Sequence, residues 1–278
     1  MVRVGTSGWH YPAGEGTWNG PFYPKPRPRG FDELRFYADR FDTVEVNATF
    51  YRQPDAGMSR KWLDRTPDAF LFSLKLYQKF THPEMFLKRP GATDWNVTPG
   101  DIDEFRAGLD PIASAGRLGA LLLQFPSSFH NEPTTQEYLR WLLSAFRDYP
   151  KAVELRHASW AGSTVAEESG AARVLQDEPF AEFQSSRVSG FQGSLTYIRM
   201  HGRNKANWWD HEKSEDRYNY LYSAEELEPV ADFAKEEAAL EKRVLVYFNN
   251  HFSAKAVANA DILKNQLGQL APDWRLKP

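Results

Sequence analysis

The feature of this sequence that most constrains its fold is a regular alternation of short apolar runs with amphipathic stretches. The runs, such as residues 43–47 and 195–200, predict strands, whereas residues 31–40 and 223–242 carry apolar side chains at helical spacing. Strands that alternate with helices indicate βαβ units and a parallel sheet. Eight such units would close a (β/α)8 barrel of the TIM type, with outer helices and a long first βα loop. A doubly wound open sheet is the alternative.

The predicted elements fill the chain without a domain boundary. No Ser/Gly-rich run, charge block or internal repeat interrupts the 278 residues, so we expect one TIM-barrel domain over residues 1–278. Strands are predicted over residues 2–6, 43–47, 70–75, 119–125, 152–156, 173–176, 195–200 and 244–249. Helices are predicted over residues 31–40, 58–65, 101–115, 134–146, 161–169, 223–242 and 254–267.

Local signals mark two helix starts and three long loops. Asp101 is a predicted N-cap, and Ser223 with Glu226 forms a predicted capping box. Loops as long as those predicted here are usually functional or disordered in compact domains. They cover residues 7–30, 77–100 and 201–222.

Composition excludes several classes of function. The formal net charge is −3, which gives no global attraction to nucleic acid or to an anionic membrane. The chain has no cysteine, so disulfides, a thiolate nucleophile and thiolate metal sites are ruled out. No apolar stretch approaches the length of a membrane span, and the N-terminus lacks a basic segment followed by an apolar one. We therefore expect a cytoplasmic protein without a membrane partner.

Polar side chains gather at the ends of the predicted strands. Because side chains alternate along a strand, Glu45 and Asn47 share one face of the second strand, and Gln124 ends the fourth. Helices cover the outer face of a barrel strand, so the polar face must point inward near the carboxyl ends, where the active sites of such barrels lie. An internal ion-pair network is the structural alternative. We expect the following side chains to converge on one pocket: Glu45, Lys75, Glu154, Arg156, Arg199, His201 and Asn249.

Seven motifs, in order along almost the whole chain, resemble those of the YecE-like proteins, catalogued as domain-of-unknown-function family 72. They are GTSGW (5–9), FYP (22–24), TVEVNATFYRQP (43–54), LLLQFP (121–126), VELRHASW (153–160), YIRMHGR (197–203) and VYFNN (246–250). The resemblance implies a TIM-barrel fold. It implies no activity, so the function has to be argued from the site. No motif falls within residues 161–194, which leaves Asp177 without an implied role.

Two glutamates, Glu45 and Glu154, are the candidate catalytic residues. Paired inward carboxylates can act as acid and base, or as acid and nucleophile, in glycoside hydrolysis, and nearby tryptophans such as Trp9 could stack on sugar rings. A carbohydrate hydrolase is therefore one alternative function. Pairing of each glutamate with Lys75 or an arginine is the competing structural explanation.

Cationic side chains make the predicted rim locally basic although the chain is acidic. Arginine presents a fork suited to carboxylate or phosphate. Barrels often hold phosphate near the loops after strands seven and eight, where His201 and Arg203 lie. The leading hypothesis is an enzyme-like barrel that binds a small anionic ligand, phosphate- or nucleic-acid-derived. Whether it catalyses a reaction, for example as a hydrolase of a phosphate-containing or glycosidic substrate, is left open. The candidate substrate-binding residues are Trp9, Asn47, Lys75, Gln124, Arg156, His157, Arg199, His201, Arg203 and Asn249.

Aromatic and metal-binding patterns complete the expectations. The aromatic residues of the first long loop could stack on bases, but a plug that orders the loop is the favoured role. A non-catalytic nucleic-acid-binding or interaction protein is the second alternative. No ligand-spaced metal motif and no nucleotide-binding glycine motif is present, so we expect neither a metal nor another cofactor. The atoms that metals prefer nevertheless occur on Glu45, Glu154, Asp177, His157 and His201.

Overall fold

The structure is a computed structural model, and it describes residues 1–179, 183, 193–213 and 215–269. Its strands are β1 (Val2–Thr6), β2 (Thr43–Val46), β3 (Leu71–Lys75), β4 (Leu118–Gln124), β5 (Lys151–Glu154), β6 (Ala172–Asp177), β7 (Leu195–Met200) and β8 (Arg243–Phe248). They form one sheet in which consecutive strands are neighbours from β2 to β8, and β8 is also the neighbour of β1. Helices follow the strands, and this topology is that of a (β/α)8 barrel of the TIM type. The predicted fold class is confirmed, and the doubly wound alternative is wrong.

The helices lie where the periodicity predicts them, with additional short ones at strand ends. They are α1 (Glu33–Ala38), α2 (Ala48–Tyr51), α3 (Ala56–Leu63), α4 (Gln78–Thr81), α5 (Pro83–Leu87), α6 (Pro99–Ser114), α7 (Pro133–Ala145), α8 (Val165–Glu168), α9 (Ala224–Ala239) and α10 (Lys255–Gln266). The sequence did not predict α2, α4 and α5, because helices of four or five residues are too short to show an apolar period. No helix in the described ranges is long and apolar enough to cross a membrane. Within the stretch that carries no family motif, residues 180–182 and 184–192 lie outside the described residues.

Capping residues determine where two of the long helices begin. Thr98 is the N-cap of α6, since its hydroxyl accepts from Asp101 N at 3.2 Å while the Asp101 carboxylate accepts from Thr98 N at 2.7 Å. Asp101 is therefore not the N-cap that the sequence predicted. Pro99 occupies the first turn, where its fixed φ suits the helix, so α6 begins earlier. The predicted capping box of Ser223 and Glu226 at the start of α9 is confirmed.

Contacts along the chain divide it into two compact units. The first unit comprises Met1–Phe31, Leu175–Arg187 and Ile198–Pro278, and the second comprises Asp32–Val174 and Val188–Tyr197. The unit boundaries fall inside β6 and β7, so the carboxyl ends of these two strands belong to the first unit.

Backbone hydrogen bonds connect the strands of the sheet within the first unit. β1 and β8 pair in parallel from Val2↔Val244 to Thr6↔Phe248. At the carboxyl ends, Asn249 N donates to Met200 O at 2.8 Å and His201 N donates to Asp177 O at 2.8 Å. The polar residues that end β6, β7 and β8 are therefore held side by side.

The long first βα loop is packed by its own aromatic residues. Trp18 and Tyr23 are fully buried, and Trp18 Nε1 donates to the carbonyl of His251 at 2.7 Å. Tyr11 stacks on the His251 imidazole with 4.5 Å between ring centroids. Burial of these large rings explains why so long a loop is ordered. The aromatic residues Trp18 and Tyr23 are therefore packing residues of the loop, and their role as a plug of the barrel stays a prediction.

An aromatic cluster holds helices together in the second unit. Phe80 lies 6.1 Å from Phe105 and 5.9 Å from Phe146 between ring centroids, and all these pairs meet edge to face. All three rings are at most 1% exposed. Edge-to-face packing of aromatic rings is favourable, so these contacts fix α4 against α6 and the end of α7.

Candidate functional site

Strand register places the polar residues of the second unit on one face of the sheet. In parallel strands, residues paired across the ladder point to the same side, and Glu45 pairs with Ser73. Lys75, two residues after Ser73, pairs with Leu122, and Gln124 pairs with Glu154. Alternation along each strand then aligns Glu45, Lys75, Gln124 and Glu154. The face predicted from sequence parity is the one that the register produces.

The two candidate catalytic glutamates are fully buried, each with a hydrogen-bonding partner. Glu154 ends β5, and its Oε1 accepts from Arg156 Nε at 2.6 Å. Glu45 Oε2 accepts from the hydroxyl of Tyr197 at 2.7 Å. Both glutamates are 0% exposed. A buried carboxylate needs such partners, and these two bonds hold the side chains in fixed orientations.

His82 lies at the centre of a charged cluster that the sequence did not reveal. Burial lowers its pKa to about 3, with further lowering by the positive charges of Lys75 and Arg156 and a smaller opposing effect of Glu154. Its Nε2 lies 3.4 Å from Gln124 Nε2, which also donates to Phe125 O at 3.1 Å. At neutral pH the His82 imidazole is therefore uncharged. The five residues Lys75, His82, Gln124, Glu154 and Arg156 are called the His82 cluster below.

Short helices explain how His82 reaches this position. It lies between α4 and α5, with Pro83 at the first position of α5. Its Nδ1 lies 2.8 Å from the hydroxyl of Thr81, and its ring meets Phe50 edge to face at 4.9 Å. Phe50 also lies under the ammonium group of Lys75, at 4.0 Å from the ring centroid. The sequence signal that could have indicated this position is the His-Pro pair that follows soon after β3.

Two other predicted ligand residues of the second unit lie in different surroundings. Asn47 follows β2, and its Oδ1 is buried without a hydrogen-bonding partner among the described residues. His157 instead caps the 3-10 turn Ala158–Trp160, where its Nδ1 accepts from Ser159 N at 3.2 Å. Its ring stacks on His130 with 3.8 Å between centroids. These contacts account for His157 without a ligand.

In the first unit, Asp177 proves to be the acceptor of a buried hydrogen-bond network. The carboxylate is fully buried and accepts from Arg203 Nε at 2.9 Å, Arg203 Nη2 at 2.7 Å, the Tyr222 hydroxyl at 2.7 Å and Phe183 N at 2.9 Å. Arg203 also lies 3.4 Å from Glu226. Burial and Asp177 raise the pKa of Tyr222 well above its usual value. Arg203, predicted to bind substrate, is thus engaged by two carboxylates.

The other predicted residues of the first unit are buried at the ends of β7 and β8. His201 Nδ1 lies 3.1 Å from Asn249 Nδ2, as expected for neighbours on adjacent strands. Arg199 is only 2% exposed. Gly202 has a φ of +94°, and a Cβ there would lie 2.8 Å from the Cβ of Tyr220, so a side chain at this position is excluded.

Trp9 is half-buried in the first unit, and its carbonyl accepts a hydrogen bond from the Tyr23 hydroxyl. Six of the predicted site residues thus fall into two groups, one in each unit. Lys75, Gln124, Glu154 and Arg156 meet around His82, whereas His201 and Asn249 meet beside the Asp177 network. The expectation of a single pocket for all of them stays a prediction.

Among the described residues, no three histidine, aspartate or glutamate side chains are grouped so that they could hold a metal ion.

Comparison with known proteins identifies the family. UPF0759 protein YunF of Bacillus subtilis (strain 168) is 29% identical over 98% of both chains. The crystal structure of a DUF72 family protein from Thermotoga maritima MSB8 matches with a TM-score of 0.76 and 31% identity, over 96% of this chain and 99% of that one. A DUF72 family protein from Enterococcus faecalis V583 matches with a TM-score of 0.79 and 23% identity, over 100% and 99%. The family model described as "Protein of unknown function DUF72" matches residues 3–277. This chain therefore belongs to the DUF72 family.

Proposed function

We propose that this protein is an enzyme-like barrel that binds a small phosphate-bearing ligand, of nucleotide or sugar-phosphate type, at the His82 cluster. The observation that carries the proposal is the grouping of two cations, Lys75 and Arg156, and one carboxylate, Glu154, around the buried His82. Burial and these two cations also lower the pKa of His82 to about 3. Lys75 and Arg156 outweigh the single carboxylate of Glu154 at this position. A positive field at the carboxyl ends of barrel strands attracts anions.

The composition of the cluster fits an oxyanion. It contains two cations and one carboxylate, and the cations differ in kind. Arg156 is oriented by its 2.6 Å bond to Glu154, so its planar fork is held in place before a ligand arrives. Lys75 supplies a compact charge over the ring of Phe50. A fixed fork beside a point charge is an arrangement suited to phosphate.

Asn47 offers independent support. Buried polar atoms in folded proteins almost always have a hydrogen-bonding partner. Its Oδ1 is buried and has no such partner in the described part of the chain. It sits directly after β2, the strand that pairs with the strand bearing Lys75. A hydroxyl or amino group of a bound ligand would satisfy this oxygen.

Burial of both glutamates favours this function over a carbohydrate hydrolase. A glycosidase needs two carboxyl groups that touch the sugar on either side of the bond. Glu45 and Glu154 have no exposed surface, and they accept hydrogen bonds from Tyr197 and Arg156. We assign them positioning roles. The group suited to proton transfer is His82, because a bound anion would raise its pKa toward neutrality.

A ligand panel tests the proposal. Inorganic phosphate, nucleoside monophosphates, sugar phosphates, oligonucleotides and neutral oligosaccharides are compared by thermal shift at low and high salt. We expect phosphate-bearing small molecules to stabilise the protein, with weaker stabilisation at high salt because the site is partly exposed. Lys75→Met should weaken this binding at least about tenfold, as expected for loss of a charge-assisted hydrogen bond.

The control is Lys61→Met, which removes an exposed lysine of α3 outside the cluster and should leave binding unchanged. Stabilisation by neutral oligosaccharides alone, independent of salt, would instead support the hydrolase. Stabilisation only by oligonucleotides, with no turnover of any phosphate ester, would support a non-catalytic nucleic-acid-binding protein. Equal phosphate binding by Lys75→Met and the unchanged protein would contradict the proposal.

A further inference from the structure

A concave region of the second unit is separate from the residues of the His82 cluster. It is a cavity of about 430 Å³ beside the loop that joins α2 to α3, within the range typical of small-molecule pockets. It is lined by residues of that loop, by residues of the segment that follows β3 and includes α4 and α5, and by residues of α6. Its lining includes Arg52, Gln53, Tyr77, Phe86, Arg89 and Glu104.

Two arginines offer unused donors to this cavity. Arg89 Nη1 donates to Tyr51 O at 2.9 Å and to the Tyr77 hydroxyl at 2.6 Å, which fixes the guanidinium. Its Nε and Nη2 donate to none of the described residues. The group also lies 5.9 Å from the centroid of the Phe86 ring. Arg52 makes no side-chain hydrogen bond or ion pair within the described part of the chain.

The acidic side of the cavity has an unused acceptor. Glu104 Oε2 accepts from Gln53 Nε2 at 3.0 Å. The other end of the Gln53 amide, Oε1, is buried and has no hydrogen-bonding partner in the described ranges. An ammonium group placed between this oxygen and Glu104 would supply the missing donor and meet an opposite charge.

Charge balance selects the class of ligand. Three cationic and three anionic side chains line the cavity. Lys79 and Asp101 neutralise one another through two contacts of 2.9 Å, and Asp55 accepts from Met58 N at 2.8 Å as the N-cap of α3. What remains is a pair of arginines, together with Glu104 and the Gln53 carbonyl. A polyanion would meet the carboxylates and a simple cation the arginines, so neither fits as well as a ligand with both charges.

We propose that this cavity binds a zwitterionic ligand of the amino-acid or short-peptide type, whose carboxylate meets Arg89 and Arg52 and whose ammonium group meets Glu104 and Gln53 Oε1. The rings of Tyr77 and Phe86 supply an apolar wall for the ligand's side chain. This site is independent of the function proposed for the His82 cluster, and either can fail without the other.

The test measures binding by calorimetry or ligand-observed NMR. The probes are the proteinogenic L-amino acids and their glycyl dipeptides, and the best of them is then compared with its N-acetyl and its C-terminal amide derivatives. We expect saturable binding at up to millimolar concentration, weakened at least about tenfold by blocking either end. Arg89→Met should weaken binding by a similar factor.

Two further variants keep the test decisive. Ala107→Phe fills the cavity from an exposed position of α6 and should abolish binding in a folded protein. Arg60→Met, which removes an exposed arginine of α3 outside the cavity, is the matched control and should bind normally. Absence of binding by every probe, or binding unchanged by both Arg89→Met and Ala107→Phe, would overturn the proposal.

Discussion

Replacing His82 by glutamine should make the free energy of unfolding less sensitive to acid. The pKa of His82 is lowered to about 3 from an ordinary value of 6.5, first by burial and then by Lys75 and Arg156. Between these two values the unfolded chain binds a proton at this position that the native protein does not. Stability therefore falls as the pH drops below about 6.5, and the loss is complete below about pH 3.

The size of this effect follows from the two pKa values. A difference of one unit corresponds to about 1.4 kcal/mol, so the full effect is about 5 kcal/mol. At about pH 5, where most proteins can still be handled, the same equilibrium gives a loss of about 2 kcal/mol relative to neutral pH. Glutamine cannot take up this proton, so the variant should lack that share of the acid destabilisation.

The assay is denaturant unfolding at several pH values between about 7.5 and 5. His251, whose pKa burial lowers to about 4, adds a similar acid sensitivity to both proteins, so a slope should remain in the variant. His10→Gln, which changes an exposed histidine, controls for effects common to any such replacement. If the His82 variant and the unchanged protein lose the same stability between neutral pH and pH 5, the electrostatic account of His82 is refuted.

Three substitutions test the roles of other residues. Arg203→Met leaves a buried carboxylate without its main partner, so the free energy of unfolding should fall by about 3–5 kcal/mol in chemical denaturation while the affinity for phosphate stays unchanged. Loss of phosphate affinity without loss of stability would instead show that Arg203 is a ligand-binding residue. Tyr197→Phe removes the hydroxyl that donates to Glu45 and should cost about 1–3 kcal/mol in the same assay, so an unchanged midpoint would show that this bond contributes nothing. Gly108→Ala would bring a Cβ to 2.2 Å from Pro54 O and should destabilise the packing of α3 on α6 by about 1–3 kcal/mol; a neutral thermal shift would show that the backbone can move apart.

The strand order and most of the long helices could be predicted because their sequence patterns recur along the chain. An apolar run bounded by turn residues marks each buried strand, and a long amphipathic helix shows its period over several turns. The four-residue helices α2 and α4 give no such signal. They nevertheless determine where His82 lies, so the centre of the candidate site falls in a stretch that the sequence predicted only as a loop.

Strand parity predicted which side chains share a face but not which of them a ligand can reach. Alternation aligned Glu45 and Glu154 correctly, since it depends only on the backbone. Their complete burial depends on packing from other strands, which one sequence does not reveal. The pairing of Arg203 with Asp177 was likewise beyond prediction, because the partners lie 26 positions apart and no family motif covers Asp177.

The most direct test of the central claim is the titration of His82 itself, followed by NMR of its imidazole with and without inorganic phosphate. A single negative charge about 4–5 Å from the ring, at an effective dielectric constant of about 20, should raise the His82 pKa by about two to three pH units. Phosphate should move the titration of His82 from about pH 3 toward neutrality, and Lys75→Met should greatly reduce this movement. A His82 signal that titrates at the same pH at every phosphate concentration would contradict it.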